Sequence, residues 1–166
     1  CCNCPWKDYC LANSTKNPTN FPVKKLIKKL PFQVIGIGIV INNKGEVLID
    51  QRLEKGQLAG MWEFPGGKQE FEENIQQTIV RELKEELSID VEVGKHLLTF
   101  EHSYTHMKLK FVVHICHLKR GEPKPLQSQK CLWVNPNDLD QYPFPAANAK
   151  MIVALNNYLA GDMKNS

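Results

Sequence analysis

An α+β fold is predicted by three features of this 166-residue sequence. Residues 32–50 run apolar and β-branched around an Asn/Gly turn, which is how paired strands read. Residues 73–89 contain neither Gly nor Pro, and Ile75, Ile79, Leu83 and Leu87 recur at every fourth position, as on one face of a helix. More strand-like runs follow that helix before a second helical segment, an order that layers helices on a sheet.

Composition bounds the rest. With 42% hydrophobic residues the chain can bury the core of one domain of ordinary size. A net charge of +3 gives no general affinity for polyanions, but its distribution is uneven. Residues 1–30 hold six lysines against one acid, whereas residues 63–92 hold nine of the eighteen acids, which suggests a basic arm and an acidic, metal-seeking centre. No run approaches the roughly 18 apolar residues of a membrane span, and no apolar segment of a secretory signal opens the chain. A cytoplasmic monomer is expected. The first methionine is Met61, so the chain is expected to be a piece of something longer.

In order, residues 1–10 hold Cys1, Cys2, Cys4 and Cys10, a density that points to a metal, a cluster or disulfides, with metal or cluster favoured without a secretory signal. Residues 11–31 read as a basic linker whose Lys24, Lys25, Lys28 and Lys29 either solvate or touch a phosphate backbone. The folded domain is expected over 32–160, with a tail at 161–166. Its first element is a hairpin over 32–50, in which Gly36 and Gly38 share one strand face and clear room for a helix or ligand. Strands are expected again at 91–93, 97–102, 109–118 and 131–134, and a last helix at 146–159.

The chemistry concentrates between Gly66 and Ile89. Gly67 is followed after five residues by Glu73 and after seven more by Arg81-Glu82-Leu83-Lys84-Glu85-Glu86. Glu82 lies three and four residues before Glu85 and Glu86, so carboxylates from successive turns share one patch. Such a patch either solvates or gathers a hard cation, Mg²⁺ or Mn²⁺, which bridges carboxylates to substrate phosphates. Glu63-Phe64-Pro65-Gly66-Gly67-Lys68 directly before it lets backbone approach a charged ligand closely. Acidic ligands after a glycine-rich turn suit hydrolysis of a phosphoanhydride.

This stretch resembles the signature of the Nudix hydrolases, G-x5-E-x7-R-E-U-x-E-E-x-G-U, where U is aliphatic. Only Ser88 departs, standing for the last glycine. The resemblance implies an α/β/α sandwich with a mixed sheet and a Mg²⁺- or Mn²⁺-dependent diphosphate cleavage. It also implies Glu82, Glu85 and Glu86 as metal ligands joined by the Gly66 carbonyl, with Arg81 and Glu73 orienting them.

Within that family, the MutT-type 8-oxo-dGTP diphosphatases are resembled at Arg52, eleven residues before Glu63, and at Phe144-Pro145-Ala146-Ala147-Asn148. Gly121-Glu122-Pro123 and Trp133 fall at matching intervals. The implied reaction takes 8-oxo-dGTP to its monophosphate and pyrophosphate. Asn148, which can donate and accept at once, and Arg52 would read the base, with Phe64 beside it and Lys68 also on the substrate. A helix N-cap is the structural alternative for Asn148. Gln127 stands where these enzymes carry a further glutamate.

A second resemblance concerns the C-terminal domain of MutY-type adenine DNA glycosylases. Glu101-His102-Ser103-Tyr104-Thr105-His106 is similar to their H-x-F-S-H loop, which inspects 8-oxoguanine in duplex DNA. Cys1-x2-Cys4-x5-Cys10 is similar to the last three ligands of their [4Fe–4S] loop, whose first ligand would precede Cys1. An intact cluster is therefore expected only in a longer parent chain. This resemblance implies a non-catalytic reader of damaged DNA, with His102, Tyr104, Thr105 and His106 as its reading loop.

Overall fold

The computed structural model describes residues 2–15, 17–21, 30–56 and 58–162. The chain divides into two compact units, Cys1–Leu30 and Pro31–Ser166. In the first, the short 3₁₀ turns Lys7–Tyr9 and Pro18–Asn20 bury no residue, and Cys2, Cys4 and Cys10 carry free thiols. Cys1 and the four lysines between 24 and 29 lie outside the described residues, as do residues 163–166 of the expected tail.

The second unit holds strands β1 (Phe32–Ile41), β2 (Val47–Gln51), β3 (Trp62–Glu63) and β4 (Gly66–Lys68), then helix α1 (Ile75–Leu87). Strands β5 (Asp90–Ser103), β6 (Lys108–Arg120) and β7 (Lys130–Val134) follow, and helix α2 (Ala146–Asp162) closes it. They form a seven-stranded mixed sheet in the order β3-β2-β1-β6-β5, with β4 also on β1 and β7 on β2. Its centre is the parallel pair β1 and β6, in register from Phe32 with Lys108 to Ile41 with His117.

Two expectations are corrected here. The predicted hairpin exists only at its tip, where Ile41 pairs with Val47; the rest of β1 is taken by β6 and β4. The two strands expected at 91–93 and 97–102 are one strand, β5, whose register shifts between Val93 and His96 and between His96 and Leu98. Gly94 reads as a break in sequence but forms part of this irregular ladder, its bare Cα close to the Ile115 carbonyl.

Alternation along β1 sends side chains to two cores. Ile37 and Ile39 join Phe111, Val113 and Ile115 with Ala147, Met151 and Leu155 of α2. Val40 and Leu48 join Cys116 with Ile79, Leu83 and Leu87 of α1. The sheet thus lies between two helices. On the α1 side, a Cβ at Gly38 would stand 2.8 Å from Leu83 Cδ1 and 3.0 Å from Ile79 Cγ2, so the paired glycines set how closely the helix approaches. Helix α1 starts after an Asn74 cap that bonds Gln77 reciprocally, within the span 73–89 read as helical. It ends on Ser88 in the left-handed conformation, φ 58°.

Candidate functional site

The segment before α1, with Glu73, and the second and third turns of the helix, with Arg81, Glu82, Glu85 and Glu86, bring the motif's charged groups together beside β4. Glu73 accepts from Arg81 Nε at 2.6 Å and Nη2 at 3.1 Å, and from the Thr78 hydroxyl at 2.9 Å. The Arg81 bond, more than any other cause, holds the Glu73 carboxyl down at about 2, so it is charged at any working pH. Arg81 also donates to the Lys68 carbonyl at 3.0 Å, which ties the helix to β4, and pairs with Glu82 at 3.0 Å and Glu85 at 3.3 Å. Glu82 lies directly over Gly67, where any side chain would collide with its carboxylate.

The three predicted ligands do not face one point. Glu86 points inward and accepts from the Gly66 backbone N–H, while Glu85 is 51% exposed on the outer face beside Arg81. Among the described residues no three His, Cys, Asp or Glu side chains stand together as an ion would need them. Gathering one would require Glu82 and Glu85 to turn from Arg81. The donor set nevertheless fits a hard cation. Burial, and then the nearby Glu82, Asp50 and Glu63, push Glu86 up to about 8, a repulsion that a cation among oxygen donors would relieve.

Two adjoining cavities open beside Glu86. One, of about 260 Å³, is lined by Arg52, Phe64, Tyr104, Met107 and Asn148 among others. The second, of about 190 Å³, is lined by Asp50, Leu53, Lys55, Gln127 and Ser128. Arg52, Glu63 and Glu86 line both, so they form the wall between them. A larger groove of about 870 Å³ runs outside α1 past Phe71, Val80 and Arg81, but it is open to solvent and none of the inward-facing carboxylates reaches it.

Of the expected base-reading residues, Arg52, Phe64 and Asn148 line the larger of the two adjoining cavities and Lys68 does not. Arg52 grips Glu63 with one nitrogen at 2.7 and 2.8 Å, so it shapes the wall as part of an ion pair. Burial raises Glu63 against that pairing. Phe64 is 1% exposed, its ring stacked on Phe144 at 5.6 Å, and it lines the cavity from the core side. Lys68 does not line the cavity; alternation along β4 turns it to a shallow groove with Phe32 and Gln69. Asn148 does line it, at 6% exposure, and it is no N-cap, because α2 already begins at Ala146. Its Oδ1 accepts the Phe64 N–H at 3.3 Å, which leaves the amide NH₂ for the cavity.

Of the expected reading loop His102–His106, only Tyr104 lines the cavity, joined by Met107 just beyond it. His102 is the next to last residue of β5 and packs its ring on Tyr104 at 4.7 Å, while Thr105 and His106 are exposed. The cysteine expectation gains nothing from the structure: Cys4 and Cys10 join no group able to hold an ion among the described residues. Sequence reasoning missed Asp50, Glu63 and Ser128. An acid closing the apolar run Val47-Leu48-Ile49 was the one available signal, since a strand buried on both faces gives no place to solvate it.

A mixed sheet between two helices, with acidic residues on the first helix after a glycine-rich strand, defines a phosphoanhydride-type hydrolase site. The NUDIX domain family matches residues 36–154, and the chain belongs to the Nudix family of hydrolases. It is 35% identical over 123 residues to an 8-oxo-dGTP diphosphatase of Haemophilus influenzae, covering 74% of this chain and 90% of that protein. It is 31% identical over 120 residues to a CTP pyrophosphohydrolase of Escherichia coli, covering 71% and 87%. Among solved structures, a MutT Nudix hydrolase from Burkholderia pseudomallei superposes with a TM-score of 0.67 at 25% identity, covering 74% and 97%. No described helix is long and apolar enough to cross a membrane.

Proposed function

We propose that this chain hydrolyses 8-oxo-dGTP to 8-oxo-dGMP and pyrophosphate with Mg²⁺ or Mn²⁺, acting on the cytoplasmic nucleotide pool. The observation that carries the reading is the shared wall: Arg52, Glu63 and Glu86 line both the base-sized cavity and the acidic one. A base held against Asn148 and Tyr104 then leaves its phosphates beside the carboxylates of α1. A divalent cation held there would supply neutralisation of diphosphate charge and a lowered pKa for the attacking water. Glu86, with Glu82 and Glu85 once these turn from Arg81, would hold it, while Glu73 fixes Arg81 and Arg81 pairs with Glu82 and Glu85. The Asn148 NH₂ donates to an oxygen on the purine edge.

Pyrophosphate release from 8-oxo-dGTP, dGTP and CTP in Mg²⁺ tests this. The expected result is turnover of 8-oxo-dGTP well above dGTP and CTP, lost in Glu82→Gln by a factor of at least about 100. Equal turnover of all three nucleotides would overturn the substrate, and no turnover above Glu82→Gln would overturn the activity.

A second reading, a C-terminal reader of 8-oxoguanine in a glycosylase bearing an iron–sulfur cluster, is favoured by one observation. Tyr104, from the His102–His106 segment, lines the base cavity. Under that reading the chain prefers duplex DNA containing 8-oxoguanine over plain duplex, and Tyr104→Ala abolishes the preference; equal binding of both duplexes removes it.

A further inference from the structure

Asp50, on β2, is the carboxylate of the acidic cavity that the signature does not contain. It is 6% exposed and lies in register with Glu63 on β3 and with Cys131 on β7. The Ser128 hydroxyl donates to its Oδ1 at 2.5 Å. No described residue bonds its second oxygen. Yet among the described residues no buried side-chain oxygen lacks a partner, so Oδ2 keeps its remaining surface on the cavity that Asp50 lines. Glu63, Glu86, Arg52 and Lys55 share that cavity, with Arg52 already bonded to Glu63, and neighbouring Gln127 brings no charge to it.

A nearly buried carboxylate beside two others is costly unless it holds a proton or faces a cation. Burial does raise Asp50 to about 6, which agrees with that cost. A merely structural aspartate would spend both oxygens on the protein; this one has Ser128 on one and a cavity on the other.

We infer that Asp50 is a further ligand of the site's divalent cation through Oδ2, with Ser128 as the residue that orients it. The assignment rests on the hydrolase reading above. It makes β2, as well as α1, part of the metal centre, and it supplies a carboxylate oxygen beside Gln127, which offers none.

Mn²⁺ affinity, followed by the EPR signal of the free ion and by calorimetry, tests it on the full chain. Asp50→Asn, isosteric and still able to accept from Ser128, is expected to weaken Mn²⁺ binding by about tenfold or more. Ser128→Ala keeps the charge but frees the carboxylate, and is expected to weaken binding severalfold. Glu92→Gln, an exposed residue paired with Lys119, controls for loss of one negative charge and is expected to bind as the unsubstituted chain does. Unchanged affinity in Asp50→Asn overturns the inference. So does a loss in Asp50→Asn with none in Ser128→Ala, which is a field effect alone. Thermal melts check folding, and if Asp50→Asn does not fold the Ser128→Ala result decides. Turnover of 8-oxo-dGTP by the unsubstituted chain separates the two ideas. Turnover with unchanged Asp50→Asn affinity sinks the ligand and spares the hydrolase; Mn²⁺ held through Asp50 without turnover does the reverse.

Discussion

Ser88 carries a backbone cost that one substitution can measure. Its φ of 58° lies where a side chain crowds the following carbonyl, a conformation glycine adopts without penalty. Its N–H still closes the helix on the Leu83 and Lys84 carbonyls, so the cap forms with serine in place. Ser88→Gly is expected to stabilise the chain by about 1 kcal/mol, read as a higher denaturant midpoint at unchanged slope. The departure from the family signature is therefore a matter of stability, since among the described residues no hydrogen bond or ion pair joins Ser88 to the inward carboxylates. At this scale the sequence was a fair guide to which residues matter and a poor one to what they touch. Eleven residues separate Arg52 from Glu63, and only the antiparallel pairing of β2 with β3 makes them partners. Local patterns carry no signal for a bond across two strands.

Helix α1 is positioned by absence of side chains. Gly36 and Gly38 face Ile75, Ile79 and Leu83, and a methyl at Gly38 would also meet Cys116 Sγ at 3.2 Å. Gly38→Ala is expected to cost about 1–3 kcal/mol, because Leu83 and Ile79 must shift with the helix that bears Glu82 and Glu86. Turnover should fall along with the melting temperature, and both are measured on one preparation. The helix and the role of these glycines were legible, since a four-residue repeat and a two-residue spacing are local facts. Strand β5 was not. Gly94 looks like punctuation, and only β6 pairing along its whole length holds the irregular ladder together.

For the molecule as a whole, its inward acids fix how it answers to pH. Burial raises Glu86 to about 8 and Asp50 to about 6, above their ordinary values of 4.5 and 3.8. Raised carboxyls favour folding fully below those ordinary values, and their contribution is lost as pH climbs through 6 and 8. Glu73, held at about 2, acts oppositely, but its contribution is complete above about pH 5 and drops out of this window. In EDTA, melting temperature is therefore expected to fall by roughly 4–8 °C between pH 5 and 8.5, about 2 kcal/mol after allowing for water around the carboxylates. Excess Mg²⁺ should recover most of the fall, and Glu86→Gln should flatten it; differential scanning calorimetry reads all three. The mixed sheet and its two helices were legible because their elements are strongly patterned, whereas the parallel β1–β6 pairing that centres the sheet joins segments some seventy-six residues apart. The shared wall of Arg52, Glu63 and Glu86 has a practical corollary for redesign. Leu58 and Tyr104, from the segments after β2 and after β5, touch only the base side of that wall and contribute nothing to either core. Libraries confined to those two segments can search for new bases while the phosphate-cleaving half of the protein is inherited intact.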